Sequence, residues 1–449
     1  MTNLARKLLL SAAALAFAGS ASLAQDAVLI NLADTHSAYD AYGRIITKVG
    51  EVADSYADVP VYILVNGDIM ETGVVVGLRN EGYLDWLFLE SLNEVAPVVI
   101  NIGNHEFDFF DYQAFIDGAA ERDLTVIGGV SDVNAGALQP TATALPVGND
   151  TLTVVGIATD QITTYPAAIR DSLAIDAPVN QLRDFLAANP FADDLLVMSH
   201  SGVPADKQIL ALLDPAKTVY VVGGHDHLHF QAEINGIPYF HNGFRGELIS
   251  VVELHRSADG WDVLEESVLI DESVAVNPGF AKEVAFERLE WLGSEDLAYV
   301  GTVESDMSFT EAIHWSIKVL RDATGADIAV ANHTTYGSAL PAGPLSRYRF
   351  DEFMRFDNDV VYVDVDGATL EAILVGSNQD AGTPVEERKG DFIYATPLPQ
   401  IEPDRTYRLV TSSFVALDFN QGPLLNVEGL EFTKIDGVTT KGITRDALR

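Results

Sequence analysis

Short apolar runs alternate with helical patterns between residue 26 and about residue 275. The runs are rich in Val and Ile and show no polar face, which is typical of strands buried on both sides. The predicted strands are 28–34, 61–68, 97–104, 124–129, 151–158, 194–200 and 218–225. The helices predicted between them cover residues 42–56, 80–94, 109–122 and 177–189. This alternation predicts an α/β layer architecture.

A second pattern follows the break at Asn277-Pro278-Gly279. It starts with a charged helical stretch at about 280–298, continues with an amphipathic helix at about 309–323, and includes strands at 328–332 and 360–366. A chain of 449 residues is also longer than one compact domain usually is. We therefore predict an N-terminal domain, a helical connector and a smaller α/β C-terminal domain, at residues 25–275, 276–300 and 301–449.

The first residues are typical of an export signal. Arg6 and Lys7 precede an apolar run over residues 8–17, and Ser22-Leu23-Ala24 offers small residues where a signal peptidase cleaves. The run is too short to cross a bilayer. We expect cleavage after Ala24, and hence a periplasmic or secreted protein without stable membrane insertion.

Composition narrows the chemistry. The chain has no Cys, which excludes thiol nucleophiles, thiolate metal sites and disulfides. Its 27 basic and 66 acidic residues give a net charge of −39, a field that repels nucleic-acid polymers and anionic membranes. A phosphate-bearing substrate would therefore need a local positive centre, which a pair of divalent cations would provide.

Potential metal ligands follow the predicted strands. In open α/β sheets, ligands bind just beyond the carboxyl ends of the strands, so residues far apart in sequence converge there. The residues at these ends are Asp34, His36, Asp68, Asn104, His105, His200, His225 and His227. Imidazole and carboxylate ligands suit Zn, Mn, Fe and similar divalent ions.

In the segment His225-Asp226-His227, the two imidazoles can reach either one metal ion or two, and their spacing does not decide between these. A carboxylate such as Asp68 can bridge a metal pair about 3.5–4 Å apart, a spacing that suits displacement at phosphorus. Taken alone, Asp34-Thr35-His36 is a weak signal and Asn66-Gly67-Asp68 is more often a turn. The motif Gly103-Asn104-His105-Glu106 is the sharpest, and all of the motifs follow strands in one order.

With these motifs, the chain resembles the calcineurin-like metallophosphoesterase superfamily over residues 34–227. Residues 332–358, with the turn Leu340-Pro341-Ala342-Gly343-Pro344, resemble the nucleotide-binding domain of the secreted 5′-nucleotidase branch. The resemblance implies an N-terminal four-layer α/β sandwich and a smaller α/β nucleotidase-like domain. It also implies two divalent metal ions, of Zn, Mn, Co or Fe.

The resemblance further implies roles for single residues. One metal would be held by Asp34, His36, Asp68 and His227, and the other by Asp68, Asn104, His200 and His225. His105 would be catalytic, stabilising the phosphoryl charge and protonating the leaving oxygen, with Asp108 orienting it.

The C-terminal domain departs from the nucleotidase pattern. Asn332 matches, but the glycines and the Arg expected after it are replaced by His333-Thr334-Thr335-Tyr336, and residues 307–317 lack a second expected Arg. The resemblance implies that Asn332 binds the substrate and that Phe356 and Phe419 stack on its base. Four arginines are candidates to replace the missing ones: Arg245, Arg347, Arg349 and Arg355.

The function expected from sequence is hydrolysis of phosphate monoesters, 5′-nucleotides among them, in the cell envelope. Three alternatives stay open at this point: hydrolysis of a cyclic phosphodiester, hydrolysis of a thiosulfate ester on the same scaffold, and a non-catalytic binding protein. The intact set of ligands, with His105 beside Asp108, argues against the last.

Overall fold

The computed structural model describes most of the chain. The described residues are 25–134, 137–138, 141–258, 260–379, 383–388, 393–398, 400–416, 418–419, 422–425 and 427–449. The expected export signal, residues 1–24, lies outside them. None of the helices in these ranges combines the length and the apolar character that a membrane span requires.

Two six-stranded sheets form the centre of the N-terminal domain. The first runs in the order Gly260–Leu269, Leu248–Ser257, Ala27–Leu32, Val61–Asn66, Val98–Asn101 and Thr125–Ile127. The second runs in the order His229–Ile234, Ile237–Asn242, Thr218–Gly223, Leu195–His200, Asp150–Ala158 and Ala142–Val147. In the first sheet, the strands from Ala27–Leu32 to Thr125–Ile127 pair in parallel, and Leu248–Ser257 and Gly260–Leu269 join them antiparallel. In the second sheet, the four inner strands pair in parallel and the two edge strands pair antiparallel.

Helices cover the outer faces of both sheets. They span Tyr39–Ser55, Val75–Arg79, Tyr83–Asn93, Tyr112–Ala120, Pro178–Ala188 and Val203–Leu210, and a small three-stranded sheet joins Ala137–Leu138, Val130–Asp132 and Leu173–Ile175. One buried cluster joins the two sheets, with Leu29 and Leu64 of the first against Leu196 of the second. Of two further clusters, one lies between the first sheet and its helices, and the other lies between the second sheet and its helices. The layer order is thus helix, sheet, sheet, helix, and the predicted α/β class is confirmed.

The predicted helices and strands lie where the structure has helices and strands, but their bounds do not always agree. The helix expected at 80–94 starts only at Tyr83, because Glu81 and Gly82 before it have φ of 53° and 67°, which a helix does not allow. A short helix, Val75–Arg79, which the sequence did not predict, precedes them. The four strands between His229 and Leu269 are not among the predicted ones. Two of them, His229–Ile234 and Gly260–Leu269, alternate exposed with half-buried residues, so they lack the apolar runs that mark the predicted strands.

The connector is a helix that packs on the N-terminal domain. It spans Pro278–Trp291, and its buried Phe280 and Val284 belong to the same core cluster as Tyr42 and Phe88. Its Glu287 is buried as well and accepts a hydrogen bond from Asn80 at 2.9 Å. The helix is therefore an integral part of the N-terminal core.

The C-terminal domain is built on a five-stranded sheet in the order Ile393–Ala395, Ile328–Asn332, Thr406–Ser412, Asp359–Asp366 and Thr433–Thr439. Two short pairs join Tyr299–Val303 to Gly343–Ser346 and Asp418–Phe419 to Gly422–Pro423. The helices are Phe309–Thr324, Arg347–Phe353, Gly367–Leu374 and Thr440–Asp446. Tyr348 of this domain is buried against the N-terminal core cluster, so the two domains share an apolar contact. The exact domain boundaries stay a prediction.

Candidate metal centre and substrate pocket

The carboxyl ends of the inner strands meet at one edge of the two sheets. Asp34, Asp68 and Asn104 follow three neighbouring parallel strands of the first sheet. His200 ends a strand of the second sheet, and His225 follows its parallel neighbour. The sheets face each other, so both sets of residues border the same crevice.

Four of these side chains form the His36 group: Asp34, His36, Asp68 and His227. Each offers a ligand atom within 4.8 Å of the others, and all four residues are buried. The Nε2 atoms of His36 and His227 lie 2.8 Å apart, and Nε2 of His227 lies 3.6 Å from Oδ1 of Asp34. The carboxylates and imidazoles thus point at one common centre.

A second set, the His200 group, consists of Asp68, His200 and His225, again within 4.8 Å of one another. Nε2 of His200 lies 3.1 Å from Oδ2 of Asp68. Nδ1 of His225 lies 2.9 Å from the side-chain oxygen of Asn104. Asp68 is therefore shared by the two groups, in the position expected of a bridging carboxylate.

The protonation of His200 tests whether these residues suit a cation. Its Nδ1 donates to the carbonyl oxygen of Asn66 at 2.7 Å, and its Nε2 is buried without a hydrogen bond of normal geometry. Burial lowers the pKa of His200, but the carboxylates of Asp68 and Asp34 outweigh it and raise the pKa to about 10. A centre that draws a proton onto a buried imidazole calls for positive charge, which divalent cations would supply. The donor set therefore fits a metal centre.

The other imidazoles of the two groups are in the neutral form that a metal ligand requires. Burial is the main cause in each case. It lowers the pKa of His36 and His227 well below the usual value and that of His225 to about 3. Burial also raises the pKa of Asp34 to about 8, because a charged carboxylate without a counter-ion is unfavourable there.

The backbone of the crevice adopts left-handed conformations that side-chain-bearing residues rarely take. Asp34, His36, Asp68, His225 and His227 have φ between 46° and 78°. Such strain persists where the surrounding structure enforces it, and it is common at functional sites. Gly67 has φ of 77°, and a Cβ there would lie 2.5 Å from Nδ1 of His200, so this turn requires glycine.

His105 and Asp108 lie beside the His36 group. Nδ1 of His105 lies 2.9 Å from Oδ2 of Asp108, which also accepts a hydrogen bond from the backbone of Thr72 at 2.7 Å. Burial opposes the charged form of His105, but Asp108 and then Asp68 outweigh it and raise its pKa well above the usual value. The ring thus has a fixed orientation and holds a proton that it can donate.

A cavity of about 430 Å³ opens between the metal groups and the C-terminal domain. Its lining from the N-terminal domain includes Asp68, Asn104 and His105 and several residues of the loop from Gln161 to Arg170. The C-terminal domain contributes Asn332, His333, Thr334, Arg355, Phe356, Asn358, Phe414 and Leu424. The cavity is therefore bounded by both domains.

The predicted substrate-binding residues meet this cavity in different ways. Phe356 lines it. Asn332 lines it as well, but its side chain donates to Thr334 at 2.6 Å and accepts from Thr335 at 2.8 Å, which fixes the turn after its strand. The side chain of Phe419 lies outside the described residues. Phe414 of the same loop lines the cavity, a placement that the sequence left undecided.

Ion pairs limit what the candidate arginines can do. Arg349 contacts Asp40 and Glu352, each at 2.7 Å, and Arg347 lies 3.7 Å from Asp351. Arg245 is buried, and burial lowers its pKa.

Two arginines line the cavity among the described residues, Arg170 and Arg355. The sequence had not singled out Arg170. It donates to the carbonyl oxygens of Tyr165 and Thr163 at 2.7 and 2.6 Å and so holds its own loop. Glu71, whose carboxylate pairs with Arg355, was also missed, since nothing but its position three residues after Asp68 marks it.

Comparisons with known proteins agree with this geometry. Residues 28–229 match the family of the calcineurin-like phosphoesterases, and residues 303–394 match the 5′-nucleotidase C-terminal domain. Both parts of the resemblance read from the sequence are thereby confirmed. The comparison with curated proteins gave no match.

Solved structures share the fold over nearly the whole chain. A 5′-nucleotidase precursor from Thermus thermophilus is 16% identical, with a TM-score of 0.64 over 94% of this chain and 96% of that one. The sulfate thiohydrolase SoxB of Thermus thermophilus is 13% identical, with a TM-score of 0.66 over 96% of each chain. A 5′-nucleotidase from Candida albicans is 12% identical, with a TM-score of 0.65 over 94% of this chain and 98% of that one. At these identities the likeness shows the fold alone.

We predict that the protein purified without chelator contains about two divalent ions per chain, by elemental analysis. Asp68→Ala should remove most of both, because it takes away the shared carboxylate and leaves two cations poorly screened from each other. Asp54→Ala, an exposed helix residue, is the control and should leave the metal content unchanged. A metal content near zero in wild-type protein under every metal supplement would contradict the assignment.

Proposed function

We propose that this chain, which contains a calcineurin-like phosphoesterase domain and a 5′-nucleotidase C-terminal domain and is therefore a metal-dependent phosphoester hydrolase, dephosphorylates nucleotides and other small phosphate monoesters in the cavity between its domains. The observation that carries the proposal is the composition of that cavity. Members of both metal groups, with Asp68 shared between them, line it together with His105, and so do the aromatic residues Phe356 and Phe414 of the C-terminal domain. Its volume of about 430 Å³ suits a small molecule.

The metal ligands in this proposal are those of the resemblance. Asp34, His36, Asp68 and His227 would hold one ion, and Asp68, Asn104, His200 and His225 the other. When bound, such a pair of divalent ions neutralises charge on the phosphoryl group and activates water.

His105 acts as the proton donor in our proposal. Asp108 fixes the ring through Nδ1 and favours its charged form, which leaves Nε2 to face the phosphoryl group or the leaving oxygen. The backbone N–H of His105 donates to Oδ1 of Asp68 at 2.9 Å, so the donor and the shared carboxylate are fixed relative to each other.

Discrimination between phosphate esters should be weak. Of the four candidate arginines, Arg355 alone lines the cavity, and it is paired with the carboxylate of Glu71, so it is not free to replace the missing phosphate contacts. Arg supplies two-pronged recognition of phosphate that other side chains do not copy. We therefore propose that binding relies on the metal end of the cavity and on stacking.

We also propose that the enzyme acts in the periplasm or outside the cell. The support is the sequence of residues 1–24, with its basic start, apolar run and small residues before position 25.

Removal of the proton donor should separate metal binding from chemistry. We predict that His105→Ala keeps its metal content and loses about 10²–10⁴-fold in turnover, the usual worth of a positioned acid or base. Asp108→Asn should lose less, because the ring stays in place but its charged form is less favoured. Exposed His229 offers a matched control, and His229→Ala should keep full turnover. Loss of metal by His105→Ala, with unchanged turnover per bound metal pair, would show that His105 is a ligand instead.

The proposed function is tested by phosphate release from AMP, an aryl phosphate and an aryl phosphodiester, each with Mn, Zn or Co. We predict hydrolysis of both monoesters, abolished by chelation. Two missing charge-assisted contacts at about 1.5–3 kcal/mol each correspond to roughly 10²-fold or more in kcat/KM for AMP. The kcat/KM values for AMP and the aryl phosphate should therefore be similar. Strong preference for AMP would mean that other residues read the nucleotide, and no release from any monoester would refute the function.

A further inference from the structure

Glu71 is a fully buried carboxylate between the metal centre and the C-terminal domain. On one side its Oε2 lies 3.5 Å from Nδ1 of His36. On the other side it accepts a hydrogen bond from the guanidinium of Arg355. The backbone N–H of Gly73 donates to its Oε1 at 2.8 Å, which fixes the carboxylate in this place.

Arg355 belongs to the C-terminal domain and makes its contacts in two directions. Besides Glu71, it donates from Nη2 to the carbonyl oxygen of Thr334 at 2.7 Å, and its backbone N–H donates to Thr335 at 3.1 Å. These contacts fix the pocket segment, residues 332–335, which lines the cavity. His333 of this segment donates to the carbonyl oxygen of Asp226 at 2.5 Å, between His225 and His227.

The pairing decides what Glu71 can do. An ionised carboxylate without a partner is strongly disfavoured in a buried position, so Glu71 needs Arg355 or a cation. Ligand atoms of Glu71, His36 and His105 lie within 4.8 Å of one another. These three residues could therefore hold a metal ion outside the His36 group and the His200 group. With Arg355 bound, the carboxylate lies 3.5 Å from Nδ1 of His36, a buried atom that has no hydrogen-bond partner among the described residues. A slightly closer approach would give the carboxylate–imidazole pair that metal-binding histidines usually have.

We propose that Arg355 is a positioning residue for the His36 group: it holds Glu71 against His36, and this contact couples docking of the C-terminal domain to the affinity of one metal ion. The inference rests on the proposed function in one respect, that the His36 group binds a metal. It gives the C-terminal domain a second task besides lining the cavity.

The competing role for Arg355 is a direct contact to the phosphate of the substrate. It would predict that Arg355→Met raises KM for every phosphate ester and leaves metal binding unchanged, and that Glu71→Gln does not reproduce the effect. The positioning role predicts a change in metal binding for both variants, with a lower kcat and little change in KM.

The experiment is a Co²⁺ titration of the metal-free full-length protein, followed by visible absorption and by competition with a chelator. Glu71→Gln should lower the affinity for one of the two ions by about 10–100-fold, the usual effect of losing a carboxylate partner of a metal-binding imidazole. It should also alter the Co²⁺ spectrum. Arg355→Met should alter the spectrum too, because Glu71 becomes free to approach the metal. The double variant should recover part of the affinity lost in Glu71→Gln, since it removes the unpaired positive charge.

Arg349→Met is the matched control, because Arg349 also contacts an N-terminal residue, Asp40, but lies at the surface. It should bind both ions like wild type. If Arg355→Met does not fold, Arg355→Lys and Glu71→Gln still decide the outcome. Wild-type affinities and spectra in Glu71→Gln would overturn the proposal. These readouts need no substrate, so a wild type that binds both ions without releasing phosphate would refute the proposed function alone.

Discussion

Two carboxylates, Asp34 and Asp68, are buried side by side at the carboxyl ends of neighbouring parallel strands. Burial disfavours their charge, so the fold must place positive charge or polar hydrogen next to them. The backbone N–H groups of His225 and His105 donate to Asp34 and Asp68, and Nε2 of His200 lies 3.1 Å from Asp68. The carboxylates of Asp68 and Asp34 outweigh the effect of burial and raise the pKa of His200 to about 10. The crevice is thus organised around negative charge that requires compensation.

The sequence could predict that these residues lie close together, because each of them stands at the end of a strand or just after it. A buried parallel strand leaves a clear apolar run, and the polar residue after it must lie at the common edge. Asp34, Asp68, Asn104, His200 and His225 all follow such runs, and the structure brings them together. Their roles as ligands stay predictions, but their convergence follows from local pattern and sheet geometry.

The residues that sequence could not reveal depend on contacts between distant parts of the chain. The role of Glu71 depends on its pairing with Arg355, which is 284 positions away in the sequence. The role of Arg170 depends on its hydrogen bond within its own loop. Two strands after His227, His229–Ile234 and Gly260–Leu269, were missed because alternating exposed residues interrupt the apolar pattern. Likewise, the placement of Phe414 in the cavity comes from how the C-terminal domain docks, which no local pattern encodes.

The helix Pro278–Trp291 has a consequence for how such proteins can be recombined. Its sequence, after a Pro/Gly break, suggested a linker between domains, yet Phe280 and Val284 complete the N-terminal core. A chimaera that takes its C-terminal domain from a relative must keep this helix with its own N-terminal domain. The natural junction is the short segment 292–298, where the helix has ended and the strand Tyr299–Val303 has not begun. A junction at residue 277 would leave Tyr42 and Phe88 facing foreign side chains.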